Sequence, residues 1–211
     1  MKLKQVFSVS ALGAAILIAG FGGSAQAVTI MPAVEYTTSG TLSDNRAFTL
    51  GYSFSLSAPV TINALGYWDN GRHSNHQVGI WDAGGTLLTF TTVLGTDPTV
   101  GHFVWDAIPN FTLAAGNYVI GGEFLGDGTF NSFATGIVSI PEYTYGNDRQ
   151  RAGAGLNFPT TTIGGYGANG ILEVSFSVTA APIPEPSSWA LMMVGVGVVG
   201  ATLRRRRAVA A

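Results

Sequence analysis

Two histidines, His73 and His76, stand in the run Gly71-Arg-His-Ser-Asn-His76, just after Asp69. A His-x-x-His pair chelates a metal only where the backbone curls, because on a strand it is alternate residues that share a face. The plainer expectation is a polar connection between two strands, with His76 making one hydrogen bond as its strand begins. His102 stands alone before Phe103 and reads as a strand-start residue. Oxygen ligands for calcium are offered by Asp69, Asp82, Asp127 and Asp148, but no Asp-x-Asp-x-Asp-Gly loop with a distant glutamate accompanies them. Calcium is therefore a candidate ligand without a motif, and the expectation is no cofactor. Glycoside hydrolysis needs two carboxylates facing each other about 5–10 Å apart, and a chain with 12 acidic residues always offers some pair. No Gly-x-Ser-x-Gly elbow presents a serine nucleophile, and no glycine-rich loop opens a helix for phosphate. The chain has no cysteine, which excludes thiol nucleophiles and cysteine-based zinc sites. The expectation is a protein without catalytic residues.

Aromatic side chains are the remaining candidates, since flat exposed rings stack on the C–H faces of sugars. Trp68 falls on the apolar face of its strand and Trp81 on one of two faces, and both are expected to fill a core. Tyr143, Tyr145 and Tyr166 lie in a stretch rich in Gly, Asn and Thr. On such loops they are the candidate ligand-binding residues, exposed and held by a rigid scaffold.

The elements that must position these side chains are strands. Leu50, Tyr52, Phe54 and Leu56 alternate with Gly51, Ser53, Ser55 and Ser57, a period of two that puts apolar groups on one sheet face. Val60, Ile62, Ala64 and Trp68 continue the pattern after Ala58-Pro59, and Leu172, Val174, Phe176 and Val178 alternate with Glu173, Ser175, Ser177 and Thr179. Residues 77–81 and 86–93 flank Asp82-Ala-Gly-Gly85, whose glycines suit a hairpin loop. Residues 103–107 and 117–124 complete the clearer strands, while 126–170 is expected to hold long loops and one or two short strands, such as one at 137–140. No uninterrupted 3.6-residue period occurs between residues 28 and 181. The fold class that follows is all-β, an antiparallel β-sandwich of jelly-roll or immunoglobulin-like type.

Four arginines and eleven acidic residues lie between residues 28 and 181, a net charge of −7. Nucleic acid demands clustered Lys and Arg to neutralise phosphates, so no nucleic-acid partner is expected. Without disulfides the domain must be held by its core, and at about 150 residues a fold buries roughly two-thirds of its unfolded surface.

Both ends carry targeting patterns. Lys2 and Lys4 precede an apolar stretch, and Ala25-Gln26-Ala27 supplies the small-x-small pattern cut by signal peptidase, so residues 1–27 read as a signal peptide with cleavage before Val28. Near the other end, Pro184-Glu185-Pro186 precedes an uncharged run from Trp189 to Leu203 and then Arg204, Arg205, Arg206 and Arg207. Fifteen helical residues rise about 23 Å, short of a ~30 Å hydrocarbon core. Ser188 and the snorkelling stem of Arg204 extend this to a marginal span over about 188–203, with the arginines held cytoplasmic.

This tail resembles the PEP-CTERM sorting signal of Gram-negative bacteria. The resemblance implies an exported precursor held transiently in the inner membrane, its ectodomain in the periplasm. An exosortase-type transpeptidase then cuts near Pro184-Glu185-Pro186, releasing the protein to the cell surface or beyond, with exopolysaccharide as a candidate partner. The same tail is also labelled an ice-binding protein C-terminal domain, but no regular Thr-x-Thr ladder suggests ice binding. Ala64-Leu-Gly-Tyr-Trp-Asp69, His76-Gln-Val-Gly-Ile-Trp-Asp82 and Leu113-Ala-Ala-Gly-Asn-Tyr-Val119 are similar to a recurrent ectodomain of PEP-CTERM proteins to which no defined activity attaches. The expected organisation is thus a signal peptide (1–27), a β-sandwich (28–181) and a sorting segment (182–211). The leading function is a non-catalytic surface or biofilm-matrix protein. A carbohydrate- or calcium-binding module is the alternative, and a secreted hydrolase ranks third.

Overall fold

The computed structural model describes residues 28–179, apart from His73, Asp127, Ala168 and Asn169. Ala25 and Ala27, Pro184-Glu185-Pro186, the 188–203 span and Arg204 to Arg207 lie outside the described residues. Those residues are all-β, and every strand pair is antiparallel.

A six-stranded sheet runs in the order β13 (Thr161–Thr162), β12 (Tyr143–Ala152), β3 (Phe48–Leu56), β9 (Gly116–Phe124), β5 (His76–Asp82), β6 (Leu87–Val93). Opposite it lies a four-stranded sheet of β14 (Val174–Val178), β4 (Val60–Trp68), β8 (Phe103–Leu113) and β7 (Thr99–Val100). Two short ribbons complete the fold: β1 (Val34–Glu35) with β11 (Val138–Ser139), and β2 (Thr38–Asp44) with β10 (Gly128–Thr135).

The apolar members of the alternating strands meet between the two sheets. Phe54 of β3 packs on Phe176 of β14 at 5.1 Å between ring centres, with Tyr118 and Tyr143 at 5.5 and 5.8 Å from Phe54. The Tyr52 hydroxyl donates across the core to the Val174 carbonyl at 3.0 Å. Contact is close where glycine faces a ring. A Cβ on Gly122 would lie 2.6 Å from Val174 and 2.7 Å from the Tyr67 ring. Gly122→Val should therefore destabilise the domain by about 1–3 kcal/mol, the range for an overpacked core. A urea midpoint equal to wild type would show that the sheets can part at this point without cost.

Three departures from the alternation have physical causes. Glu173, Ser175 and Ser177 occupy the polar positions of the last strand, yet all are fully buried. The chain from Met31 to Val34 crosses their face. The Met31 N–H donates to Ser177 Oγ at 2.8 Å, Ser175 Oγ donates to the Val34 carbonyl at 3.0 Å, and the Asn131 N–H donates to Glu173 Oε2 at 2.7 Å. Polar side chains are retained there because protein donors and acceptors replace water.

The second departure is β8, which runs through Pro109. The register with β4 shifts between Ile62 and Ala64, and a bulge is where a strand tolerates a residue without an N–H. Third, residues 126–170 hold two long strands, β10 and β12, where loops were expected. Both contain register shifts, between Ser132 and Thr135 and between Tyr145 and Asp148, and each shift resets the period of two. The short strand expected at 137–140 is reduced to Val138–Ser139.

Candidate functional site

The three tyrosines do not form an exposed row. Tyr143 pairs in register with Leu56, which turns its ring to the inner face of the large sheet, and it is buried there. Tyr145 is half-buried, its hydroxyl donating to Asp148 Oδ1 at 2.5 Å. Tyr166 is half-buried, its ring edge-on to Phe130 at 6.2 Å, and its carbonyl accepts the Phe133 N–H at 3.1 Å. That bond anchors a bulge in which Phe133 holds a φ of 54°, an outlier for a bulky side chain. The expectation of exposed tyrosines fails because Tyr143 and Tyr145 pack toward the core between the sheets and Tyr166 packs on Phe130. Trp81 is buried as expected, although on the outer face of the sheet against Phe158, and Trp68 is half-buried at the core's edge.

The described histidines are structural. His76 is buried, stacks on Tyr67 at 3.8 Å and 1°, and places Nδ1 2.9 Å from the Glu123 carbonyl. Its expected role at a strand start holds. His73 lies outside the described residues. His102 is not alone: Nδ1 is 2.8 Å from Glu35 Oε1, and its ring stacks on Tyr36 at 4.3 Å.

The candidate calcium oxygens close turns. Asp69 Oδ1 accepts the Gly71 N–H at 2.9 Å and Asp82 Oδ1 the Thr86 N–H at 2.8 Å, a bond that holds the Asp82 carboxyl below its ordinary value. Asp127 lies outside the described residues, and among those described no three of His, Asp and Glu are grouped as a metal ion requires.

Asp148 is shifted in the opposite direction to Asp82. Burial pushes its carboxyl above the ordinary 3.8, against the opposing pull of the Tyr145 hydroxyl and the Ile171 N–H, which donates to Oδ1 at 2.7 Å. A carboxyl raised in the folded state favours folding fully while protonated in both states, and that contribution is lost as pH rises through the folded value. The urea midpoint should therefore carry a component that falls as pH is raised from below 3.8 toward neutrality. Asp148→Asn, uncharged throughout, should remove that component. An identical pH slope in the variant would assign it to other groups.

A groove with unspent polar groups lies on the outer face of the large sheet. Thr144, Ser55 and Asn117 are register partners on β12, β3 and β9, so they form one cross-strand row. With Ser53, Tyr145, Gly146 and Arg149 they line about 220 Å³ of open space. Ser53 is committed to the β12 bulge, its Oγ accepting the Asn147 N–H at 3.0 Å. The side chains of Ser55, Asn117 and Thr144 make no hydrogen bond among the described residues. Arg149 reaches the Thr160 carbonyl through Nη1 at 3.4 Å, while its Nε is enclosed without a partner among the described residues.

The other half of this face is covered. Gly51, Gly121 and Gly79 are register partners that leave a trough across three strands. Residues 155–159 lie along it, with Pro159 Cγ 2.9 Å from where a Gly121 Cβ would stand and Leu156 3.1 Å from that of Gly79. Thr49 Oγ1 accepts the Asn157 N–H at 2.8 Å, and Glu123 Oε1 accepts that of Gly155 at the same distance. The groove is thus the part of the face that this segment leaves open.

Among known families, residues 182–207 match the model described as the PEP-CTERM protein-sorting motif. The chain carries a PEP-CTERM motif. No curated protein and no solved structure matches it. The PEP-CTERM motif marks an exported protein anchored through its C-terminal segment until an exosortase-type transpeptidase processes it. The motif is independent of the groove, which was not legible before the strand registers were known. Its polar row joins residues 55, 117 and 144, and nothing in their local sequence announces that they meet.

Proposed function

We propose that this chain is a non-catalytic protein of the cell surface or extracellular biofilm matrix, sorted by exosortase and associated with exopolysaccharide. The PEP-CTERM match at residues 182–207 carries the exported, exosortase-sorted part of this reading. The non-catalytic part is supported by how the described ionisable side chains are used. His76 and His102 are stacked and hydrogen-bonded, Asp69 and Asp82 close turns, and Asp148 is enclosed beneath Gly170. The hydroxyls of the open groove have no histidine or carboxylate among its lining residues to serve as a base.

In this reading signal peptidase cuts after Ala27, because Ala25 and Ala27 are the small residues its pockets accept. The mature chain then begins at Val28, with the ectodomain in the periplasm and the 188–203 span holding it in the inner membrane. N-terminal sequencing of exported material should read Val-Thr-Ile-Met, and a start more than a few residues away would discard the site. The functional reading is tested by incubating the purified full chain in detergent with the producer's polysaccharide and with ester and glycoside substrates. The expected result is retention of the polysaccharide with no release of reducing sugar or alcohol. Turnover would establish an enzyme.

A further inference from the structure

We propose that the open groove on the outer face of the large sheet binds an acidic, carboxylate-bearing saccharide chain, with Arg149 as its anchor. The inference rests on reading the domain as a binder and adds the site and the ligand class. The first support is the distribution of positive charge. Residues 28–181 carry a net −7 and would repel a polyanion over most of their surface. Of their four arginines, Arg46 is paired with Asp44 at 2.6 Å, and Arg72 lies over Gly128. Arg149 and Arg151 occupy alternate positions of β12, opposite Gly51 and Thr49, so both belong to the outer face, about 7 Å apart along the strand. Neither forms an ion pair among the described residues.

The second support is the polar row. Thr144, Ser55 and Asn117 stand on adjacent strands, about 5 Å apart, and present two hydroxyls and an amide with unspent hydrogen-bonding capacity. A guanidinium matches a carboxylate as a planar two-point donor, while hydroxyl and amide groups match sugar hydroxyls. A neutral glycan would leave the guanidinium of Arg149, which has no ion-pair partner among the described residues, without a counter-charge. An acidic sugar chain uses both the row and the arginines.

The experiment uses the full chain purified in detergent, with polygalacturonate as the acidic probe and dextran as the neutral one. Polygalacturonate should bind and dextran should not, and the binding should weaken as salt screens the arginines. Arg149→Gln should weaken binding about ten-fold or more, as expected when a charged hydrogen-bond partner is lost, at unchanged melting temperature. Thr144→Glu, on an exposed position, should abolish binding by placing a carboxylate in the groove. Equal binding of the two polymers, undiminished binding by either folded variant, or no polygalacturonate binding by wild type would overturn the proposal. Slow hydrolysis of polygalacturonate that still depends on Arg149 would keep this site and ligand class while overturning the non-catalytic reading.

Discussion

Phe176→Ala should destabilise the β-domain by about 3–5 kcal/mol, the range for a large aromatic removed from a packed core. Phe176 is fully buried, and its ring lies 5.1 Å from Phe54 and 6.3 Å from Tyr143, so it joins the four-stranded sheet to the six-stranded one. Its neighbours are held by other contacts. Phe54 also packs on Tyr118, and Tyr52 is fixed by its hydrogen bond to the Val174 carbonyl. The surrounding rings cannot close on the void, which places the cost in the upper part of that range. The chain has no disulfide to limit the unfolded state, so the loss should appear in full in a urea titration. Most single domains have only about 5–15 kcal/mol to lose, so the variant should be close to its unfolding threshold at growth temperature. A shift below about 1 kcal/mol would mean that the two sheets are held together elsewhere.

The sandwich was legible wherever alternation runs unbroken. Leu50 to Leu56, Val60 to Ile62 and Val174 to Val178 read as strands from sequence and form strands in the structure. Reading failed in two physical situations. Bulges at Phe133 and between Tyr145 and Asp148 shift the period by a residue or more, so β10 and β12 looked like loops. The rings of Tyr143 and Tyr145 were consequently assigned to the surface. Burial of polar residues misled in the opposite direction, since Glu173, Ser175 and Ser177 looked solvent-facing and are covered by the chain from Met31 to Val34 and by Asn131. The groove belongs to a third kind. Its row depends on the pairing of strands some sixty to ninety residues apart, information that no local pattern contains. The PEP-CTERM motif is the reverse case, a local sequence feature that needs no fold to be read.

Replacing Pro184, Glu185 and Pro186 together by alanine should leave export intact and trap the protein uncut in the inner membrane. The alanine chain keeps Lys2, Lys4, the Ala25-Gln26-Ala27 pattern, the uncharged run from Trp189 to Leu203 and the four arginines. What it loses is shape. A residue before proline is driven from the helical region toward an extended backbone, a bias that Pro184 and Pro186 supply and alanine does not. Three alanines, the strongest helix formers, favour the helical region instead. The motif's one carboxylate, Glu185, disappears at the same time. Processing should fall from nearly complete to nearly absent, read as full-length precursor in the inner-membrane fraction with none of the shortened form outside. Restoring the two prolines around alanine separates the contributions, since backbone shape alone predicts full recovery, recognition of the carboxylate alone predicts none, and a joint role predicts partial recovery. If the triple variant still lost its tail and reached the outside at the normal rate, cleavage would be independent of the motif and the sorting assignment would fall.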